Sequence, residues 1–248
     1  MNERRKTPLA LKVITIIVLA AAAWTSGWAE SAFRKVDSFL WAVSAWGTSD
    51  PTADSSNPNA YSFTHTSGGA PVTWATCEPL RVIINPANGP EEGVDEVLAA
   101  MDALTQASGI AFEYVGVTDA DPFGWARANT GRTGSDPHII VGWGTLPDDV
   151  GPDAVGRTST LFSEDYSRIL SAEVTFDAGS EPGRGNGLGT YRSRTALYAH
   201  ELAHALGLGH PDSDAHQLMS AKQTLTNVDF GAGDLNGLAI LGQATCAR

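Results

Sequence analysis

The chain has 248 residues, enough for one domain with a well-buried core, and its hydrophobic content of 42% is that of a globular protein. With 28 acidic against 16 basic residues, its formal net charge is −12. Such acidity argues against nucleic acid or an anionic membrane as a partner and favours a soluble protein outside the cell.

The start of the chain predicts an export signal over residues 1–29. Three basic residues at positions 4 to 6 precede an apolar run from Val13 to Ala23, and a small-x-small site ends at Ala29. The alternative is a membrane anchor that stays attached, but the run is shorter than the roughly 20 residues that cross a bilayer. We therefore expect cleavage after Ala29, a secreted protein, and no membrane association of the mature chain.

The next segment, residues 30–71, is rich in Ser, Thr, Asn, Gly and Pro and has no sustained hydrophobic period. Three interpretations stay open at this point: a linker, a short pro-segment, or an ordered N-terminal wrap. The folded domain is predicted to begin at Val72 and to extend to residue 248.

Cys77 and Cys246 are the only cysteines of the chain. An exported protein with a small, even number of cysteines usually pairs them. We therefore expect a disulfide that ties the start of the domain to its C-terminus. The alternative is a free Cys77 thiolate that masks a metal from an N-terminal pro-segment, and the strand pattern directly after Cys77 argues against it.

Strand and helix patterns alternate after Cys77 and predict an α+β domain. Leu80 to Ile84 is a predicted buried strand, and between Glu91 and Ser108 apolar residues recur every three or four positions, which is typical of a helix with one buried face. Ile110 to Val115 is the second strand, so a right-handed parallel crossover is expected. Three further strands are predicted at His138 to Val141, Thr158 to Phe162, and Ala172 to Phe176.

Two loops rich in Asp, Gly, Pro and Asn run from Thr118 to Pro137 and from Gly144 to Gly156. In the second, Asp148, Asp149 and Asp153 offer carboxylates to a structural calcium ion. Because no calcium-loop spacing is met, a solvated acidic loop is the alternative that we favour.

The residues with the clearest chemistry lie on a predicted helix from Arg194 to Leu206. His200 and His204 are four positions apart and so lie on one face of this helix, where both imidazoles can reach one metal ion. Glu201 lies about 100° around the helix from His200 and can lean toward a water molecule on that ion.

A third histidine completes the predicted metal site. A continued helix would carry His210 about 9 Å along the axis beyond His204. Gly207 can adopt the left-handed conformation that ends a helix, so that His210 turns back toward the same ion. Three neutral imidazoles leave coordination positions open for water and substrate, as a catalytic zinc ion requires.

The pattern HExxHxxGxxH that begins at His200 resembles the extended zinc signature of the metzincin clan of metallopeptidases. Met219, nine residues past the last histidine, lies where that clan has its Met-turn. This short spacing is most similar to the matrixin branch, of the bacterial secreted type. Ser220 and Ala221 depart from the tyrosine and proline that often follow the methionine in matrixins, so the shape of the turn is left open.

The resemblance implies a metzincin catalytic domain over residues 72–248. Its elements would be a twisted five-stranded mixed sheet with one antiparallel edge strand, a backing helix, a zinc-binding active-site helix, the Met-turn and a C-terminal helix. The apolar spacing from Asp234 to Leu241, with Asp234 as the cap, predicts that last helix. Met219 would form a hydrophobic floor beneath the zinc.

The implied activity is hydrolysis of peptide bonds by a monomeric endopeptidase. Zinc, held by His200, His204 and His210, would activate water, and Glu201 would accept the proton and return it to the leaving amine. A protein or peptide substrate would pair with the predicted edge strand, Thr158 to Phe162. Residues 221 to 225 would line the specificity pocket.

Two other functions are compatible with the same residues. The first is a secreted peptide-binding or protein-binding module with a non-catalytic zinc site, and the second is a zinc hydrolase acting on a non-peptide bond. A degenerate site would have lost the glutamate or a histidine, and this chain has kept them. His216 is interpreted as a surface histidine rather than a ligand of a second metal, because no partner ligands flank it.

Overall fold

The computed structural model describes residues 57–128, 136–147, 150, 154–179, 194–212, 216–221 and 229–246. These residues all belong to the compact unit Ser49–Arg248. The predicted export signal lies outside the described residues, as do Asp148, Asp149 and Asp153 of the possible calcium loop.

The described part of the chain contains ten strands and four helices. In chain order the strands are β1 (Ser62–Phe63), β2 (Thr66–Ser67), β3 (Ala70–Pro71), β4 (Thr73–Trp74), β5 (Leu80–Asn85), β6 (Phe112–Val117), β7 (Ile139–Gly144), β8 (Gly156–Phe162), β9 (Arg168–Asp177) and β10 (Leu208–Gly209). The helices are α1 (Gly93–Ser108), α2 (Trp125–Ala128), α3 (Arg194–Leu206) and α4 (Ala232–Cys246).

A six-stranded, mostly parallel sheet forms the centre of the domain. Its order is β4-β9-β7-β5-β6, and β8 pairs antiparallel with β9 on the side away from β7. The prediction of a mixed sheet with one antiparallel edge strand is confirmed, but the sheet has six strands rather than five. The extra strand, β4, has only two residues, too few for hydrophobic alternation to reveal it.

Helix α1 follows β5 and leads into β6, which pairs parallel with β5 as the crossover predicts. The helix ends at Ser108, because Gly109 takes a left-handed φ of 76° and donates its N–H to Thr105 O. Helix α4 is longer than the predicted span of Asp234 to Leu241. It begins at Ala232 and continues to Cys246, which is fixed by a covalent bond.

The predicted disulfide is confirmed. Cys77 and Cys246 are bonded across a sequence separation of 169 residues, with their Cα atoms 5.0 Å apart. Cys77 is therefore not a free thiolate, and the alternative of a metal-masking cysteine is wrong. The bond joins the end of α4 to the segment that enters β5.

Residues 57 to 74 form an ordered segment that packs on the rest of the domain. Strand β1 pairs antiparallel with β10, and the N–H of Thr64 donates to Gly207 O at 2.8 Å. Asn236 Nδ2, on α4, donates to Pro58 O at 2.8 Å. Residues 57–71 thus pack on the domain, and residues 30–56 of the predicted linker, pro-segment or wrap lie outside the described part of the chain.

Within the described residues, no helix is both long enough and apolar enough to span a membrane.

Candidate metal centre

Helix α3 carries the candidate site and is anchored at both ends. At its start, the Arg194 guanidinium forms a two-pronged ion pair with Glu96 of α1, at 2.7 and 2.9 Å. Near its end, Trp74 Nε1 of β4 donates to Ala205 O at 3.0 Å. The helix is therefore fixed against α1 and the sheet before any ligand is considered, and its residues 195 to 203 are buried throughout.

The turn after α3 has the geometry that the glycine predicted. Gly207 adopts a φ of 108°, in the left-handed region that favours glycine, and its N–H donates to His204 O at 3.0 Å. Strand β10 follows at once and leads directly to His210. The Ser62 hydroxyl of β1 donates to His210 O at 2.6 Å, so the strand before the third histidine is held by the N-terminal segment.

The three histidines converge as predicted. Their Nε2 atoms form a triangle: His200 and His204 are 3.1 Å apart, His204 and His210 3.0 Å, and His200 and His210 3.2 Å. His200 is buried and His204 is half-buried, while His210 is exposed, so the site opens to solvent at His210. Together they could hold a metal ion.

Backbone carbonyls set the orientation of two of the rings. His200 Nδ1 lies 2.8 Å from Leu218 O, and His204 Nδ1 lies 2.7 Å from Leu208 O. A carbonyl can only accept, so the proton of each neutral ring sits on Nδ1 and the lone pair on Nε2. Both lone pairs thus point into the triangle, which is the arrangement that metal-binding histidines usually have.

The size and charge of the triangle fit zinc. Tetrahedral zinc with Zn–N bonds of about 2.0–2.1 Å needs nitrogens roughly 3.3–3.4 Å apart, close to the spacing seen here. Burial is the main cause that lowers the pKa of each ring: the pKa of His204 falls to about 4, that of His200 falls well below its usual 6.5, and that of His210 falls as well. All three rings are therefore neutral at pH 7 and able to donate lone pairs.

The side chain of Glu201, on α3, contacts the edge strand β8. The residue is only 7% exposed, and its Oε2 accepts a hydrogen bond from the Thr158 hydroxyl at 2.8 Å. Burial raises the pKa of the Glu201 carboxyl to about 7, while the hydrogen bond from Thr158 acts in the opposite direction. This environment is one in which a carboxylate can both take up and release a proton near neutral pH.

A turn around Met219 adjoins His200. Residues 217 to 220, here called the Met219 turn, are joined by a hydrogen bond from Ser220 N to Gln217 O at 3.2 Å. The side chain of Met219 is fully buried, and its role as a floor beneath a metal ion stays a prediction. The turn also supplies the Leu218 carbonyl that orients His200.

Two buried polar residues that fix this turn were missed by the sequence analysis. Asp234 Oδ2 accepts the N–H groups of Leu218 at 2.6 Å, Met219 at 3.4 Å and Gly231 at 3.0 Å. Gln217 Oε1 accepts the N–H groups at the start of α4 at 3.1 Å. Asp234 was predicted only as a helix cap, and the available signal was an acidic residue in the first turn of an apolar helix.

The other predicted site residues are placed as follows. Strand β8 contains the predicted substrate edge, Thr158 to Phe162, and pairs with β9. Of residues 221 to 225, predicted to line a specificity pocket, only Ala221 belongs to the described part of the chain. No second cluster of three potential ligands occurs among the described residues, and His216 belongs to none.

No family model matches the chain, and no curated protein matches it. Among solved structures, metalloproteinase-II from Bacteroides fragilis is similar over 76% of this chain and 59% of its own, with 17% identity and a TM-score of 0.39. The GM1-bound form of the ECX AB5 holotoxin is similar over 77% of this chain and 90% of its own, with 15% identity and a TM-score of 0.37. This chain thus spans 59% of the length of the metalloproteinase, and its function has to follow from the site itself.

Proposed function

We propose that the chain is a secreted zinc-dependent endopeptidase of the metzincin clan, most similar to the matrixin branch. One observation carries the proposal: three neutral imidazole nitrogens converge within 3.2 Å of one another beside a buried carboxylate from the same helix. A structural zinc site is usually closed by four protein ligands. Here three ligands converge at a solvent-facing opening, which suits a catalytic ion with room for substrate.

His200, His204 and His210 would hold the zinc ion. When bound, zinc supplies Lewis-acid activation of a water molecule and of the scissile carbonyl. Glu201 takes the proton of the attacking water on its carboxylate and returns it to the amine that leaves. The carbonyls of Leu218 and Leu208 keep the protons on the Nδ1 atoms of His200 and His204.

The proposed substrate is an extended segment of a protein or peptide. Strand β8 pairs with β9 along one edge, and within the described residues no strand pairs with its other edge. A peptide added there would form main-chain hydrogen bonds with little demand on its sequence. The net charge of −12 makes nucleic acid an unsuitable partner.

The proposed location is outside the cell, with the protein acting as a monomer. The disulfide between Cys77 and Cys246 supports this location, because such bonds form and persist in oxidising compartments. The predicted export signal over residues 1–29 supports it independently.

The proposal is tested with the purified, zinc-loaded chain and denatured casein. We expect cleavage that a zinc chelator abolishes and that added zinc restores. Glu201→Gln should keep stoichiometric zinc but lose turnover, because an amide cannot accept the proton. Glu91→Gln, an exposed glutamate before α1, is the matched control and should cut normally. A wild-type chain that binds zinc and leaves casein intact at several pH values would instead support a zinc-containing binding module.

A further inference from the structure

The Glu201 side chain is held by residues of a single strand. The Thr158 hydroxyl lies 2.8 Å from Glu201 Oε2 and 2.8 Å from Glu201 O. One hydroxyl proton can be donated to one acceptor at a time, and a carboxylate oxygen is a stronger acceptor than a backbone carbonyl. The Thr158 hydroxyl therefore donates preferentially to the Glu201 carboxylate. This hydrogen bond restricts the rotation of the carboxylate.

Gly156 bounds the same carboxylate on a second side. A Cβ atom added to Gly156 would lie 2.7 Å from both Glu201 Cγ and Oε1 and 2.8 Å from Cδ, closer than side-chain atoms approach one another. Gly156 is not among the residues with positive φ, so its backbone conformation would accept alanine. The glycine is thus required for the space that the carboxylate occupies and not for the path of the chain.

Gly156 and Thr158 together form a slot for the Glu201 carboxylate, and the sheet holds both residues in place. They are two positions apart on β8, so both face α3. Their partners on β9 are Phe176 for Gly156 and Val174 for Thr158, both buried. The slot cannot move without breaking the β8–β9 ladder.

We propose that Gly156 and Thr158 are positioning residues for the Glu201 base. This inference rests on the proposed function and deepens it. A glutamate side chain has three rotatable bonds, and a base must lie within hydrogen-bond reach of the proton that it takes. The slot confines the carboxylate before substrate arrives. Because the peptide is proposed to pair along β8, one strand places both the substrate and the base.

The first test compares turnover in the zinc-loaded, full-length chain. Thr158→Val keeps the shape of the side chain and removes the hydroxyl, and kcat should fall about tenfold with KM nearly unchanged, the loss expected for one hydrogen bond to a charged group. Thr158→Ser keeps the hydroxyl and should recover most of this loss. Thr105→Val removes a hydroxyl that donates to Met101 O within α1 and is the matched control.

Gly156→Ala tests the steric half of the slot. The atoms that the new methyl would meet are the end of a flexible side chain, so the carboxylate should be pushed aside while the strand stays intact. We expect kcat to fall about a hundredfold, the cost of misplacing a catalytic group by about 1 Å. Zinc affinity and the thermal midpoint should barely change. The control is Gly144→Ala, whose added methyl meets only Thr175 Cγ2 at 3.8 Å.

A readout in the metal-free protein separates this inference from the proposed activity. Thr158→Val should lower the thermal midpoint more in the wild-type background than in Glu201→Ala, because only the first still contains the carboxylate. Equal shifts in the two backgrounds would show that the hydroxyl serves the backbone carbonyl alone, and the positioning role would be lost. Unchanged kcat in Thr158→Val and Gly156→Ala would overturn the inference in an active enzyme. If the wild type cuts no peptide, the proposed function fails, while the midpoints still decide whether the slot holds Glu201.

Discussion

Removal of the Cys77–Cys246 disulfide should cost a large part of the stability of the domain. In the chain-entropy account, a cross-link stabilises by restricting the unfolded chain, and for a sequence separation of 169 residues the effect is about 5 kcal/mol. The whole free energy of unfolding of a domain is roughly 5–15 kcal/mol. We therefore expect the double variant Cys77→Ser, Cys246→Ser to unfold at a much lower urea concentration.

The assay is urea unfolding of the metal-free chain, followed by tryptophan fluorescence. A built-in control exists because these are the only two cysteines of the chain, so reduction of the wild type should reproduce the double variant. A loss below about 1 kcal/mol would refute the reasoning. The ends of the loop would then be held together by packing alone, for which the close approach of Gly242 on α4 to Ser108 O on α1 is the candidate.

Three further predictions concern the surroundings of the site and the turn between β8 and β9, residues 163–167. Asp234→Asn should lower the free energy of unfolding by about 2–3 kcal/mol and zinc affinity about tenfold, because the fully buried carboxylate holds the Met219 turn. Urea unfolding measures the first effect, and competition with a chromophoric chelator measures the second. Ser62→Ala removes the hydrogen bond to His210 O and should weaken zinc binding about fivefold in the same competition, and unchanged affinity would contradict a role in placing the third ligand. The Asp165 carboxyl should titrate by NMR near pH 2, because the hydrogen bond from the Ser163 hydroxyl is the main cause that lowers its pKa from 3.8 to about 2. Since the folded-state pKa is the lower one, this contribution to stability is present above about pH 4 and is lost as the pH falls toward 2, and a midpoint near 4 would show that the turn does not hold the carboxylate.

The three candidate metal ligands could be predicted because their relations are local. His200 and His204 are one helical turn apart, and the effect of Gly207 on the chain is a property of glycine itself. The long strands could be predicted for a similar reason, since each carries enough apolar residues to show its period. The disulfide could be predicted because the chain has two cysteines, which leave a single possible intramolecular pairing.

The missed features depend on contacts between distant parts of the chain. Strands β1, β4 and β10 have two residues each, too short for any pattern, and form because a neighbouring segment offers main-chain partners. The Thr158 hydroxyl meets Glu201 across 43 positions of sequence, and Asp234 meets the Met219 turn only once α4 has docked. No local sequence pattern predicts hydrogen bonds between residues so far apart in the chain.

The pairing of β1 with β10 also predicts an order of events during folding. His210 follows directly on β10, yet the Ser62 hydroxyl that holds its carbonyl lies 148 positions earlier in the chain. Contacts of such long range close late, because a large loop must lose its freedom before they form. We therefore expect His210 to reach its final position only after the N-terminal segment has docked. A chain in which β1 has not yet paired with β10 should therefore bind a metal ion weakly.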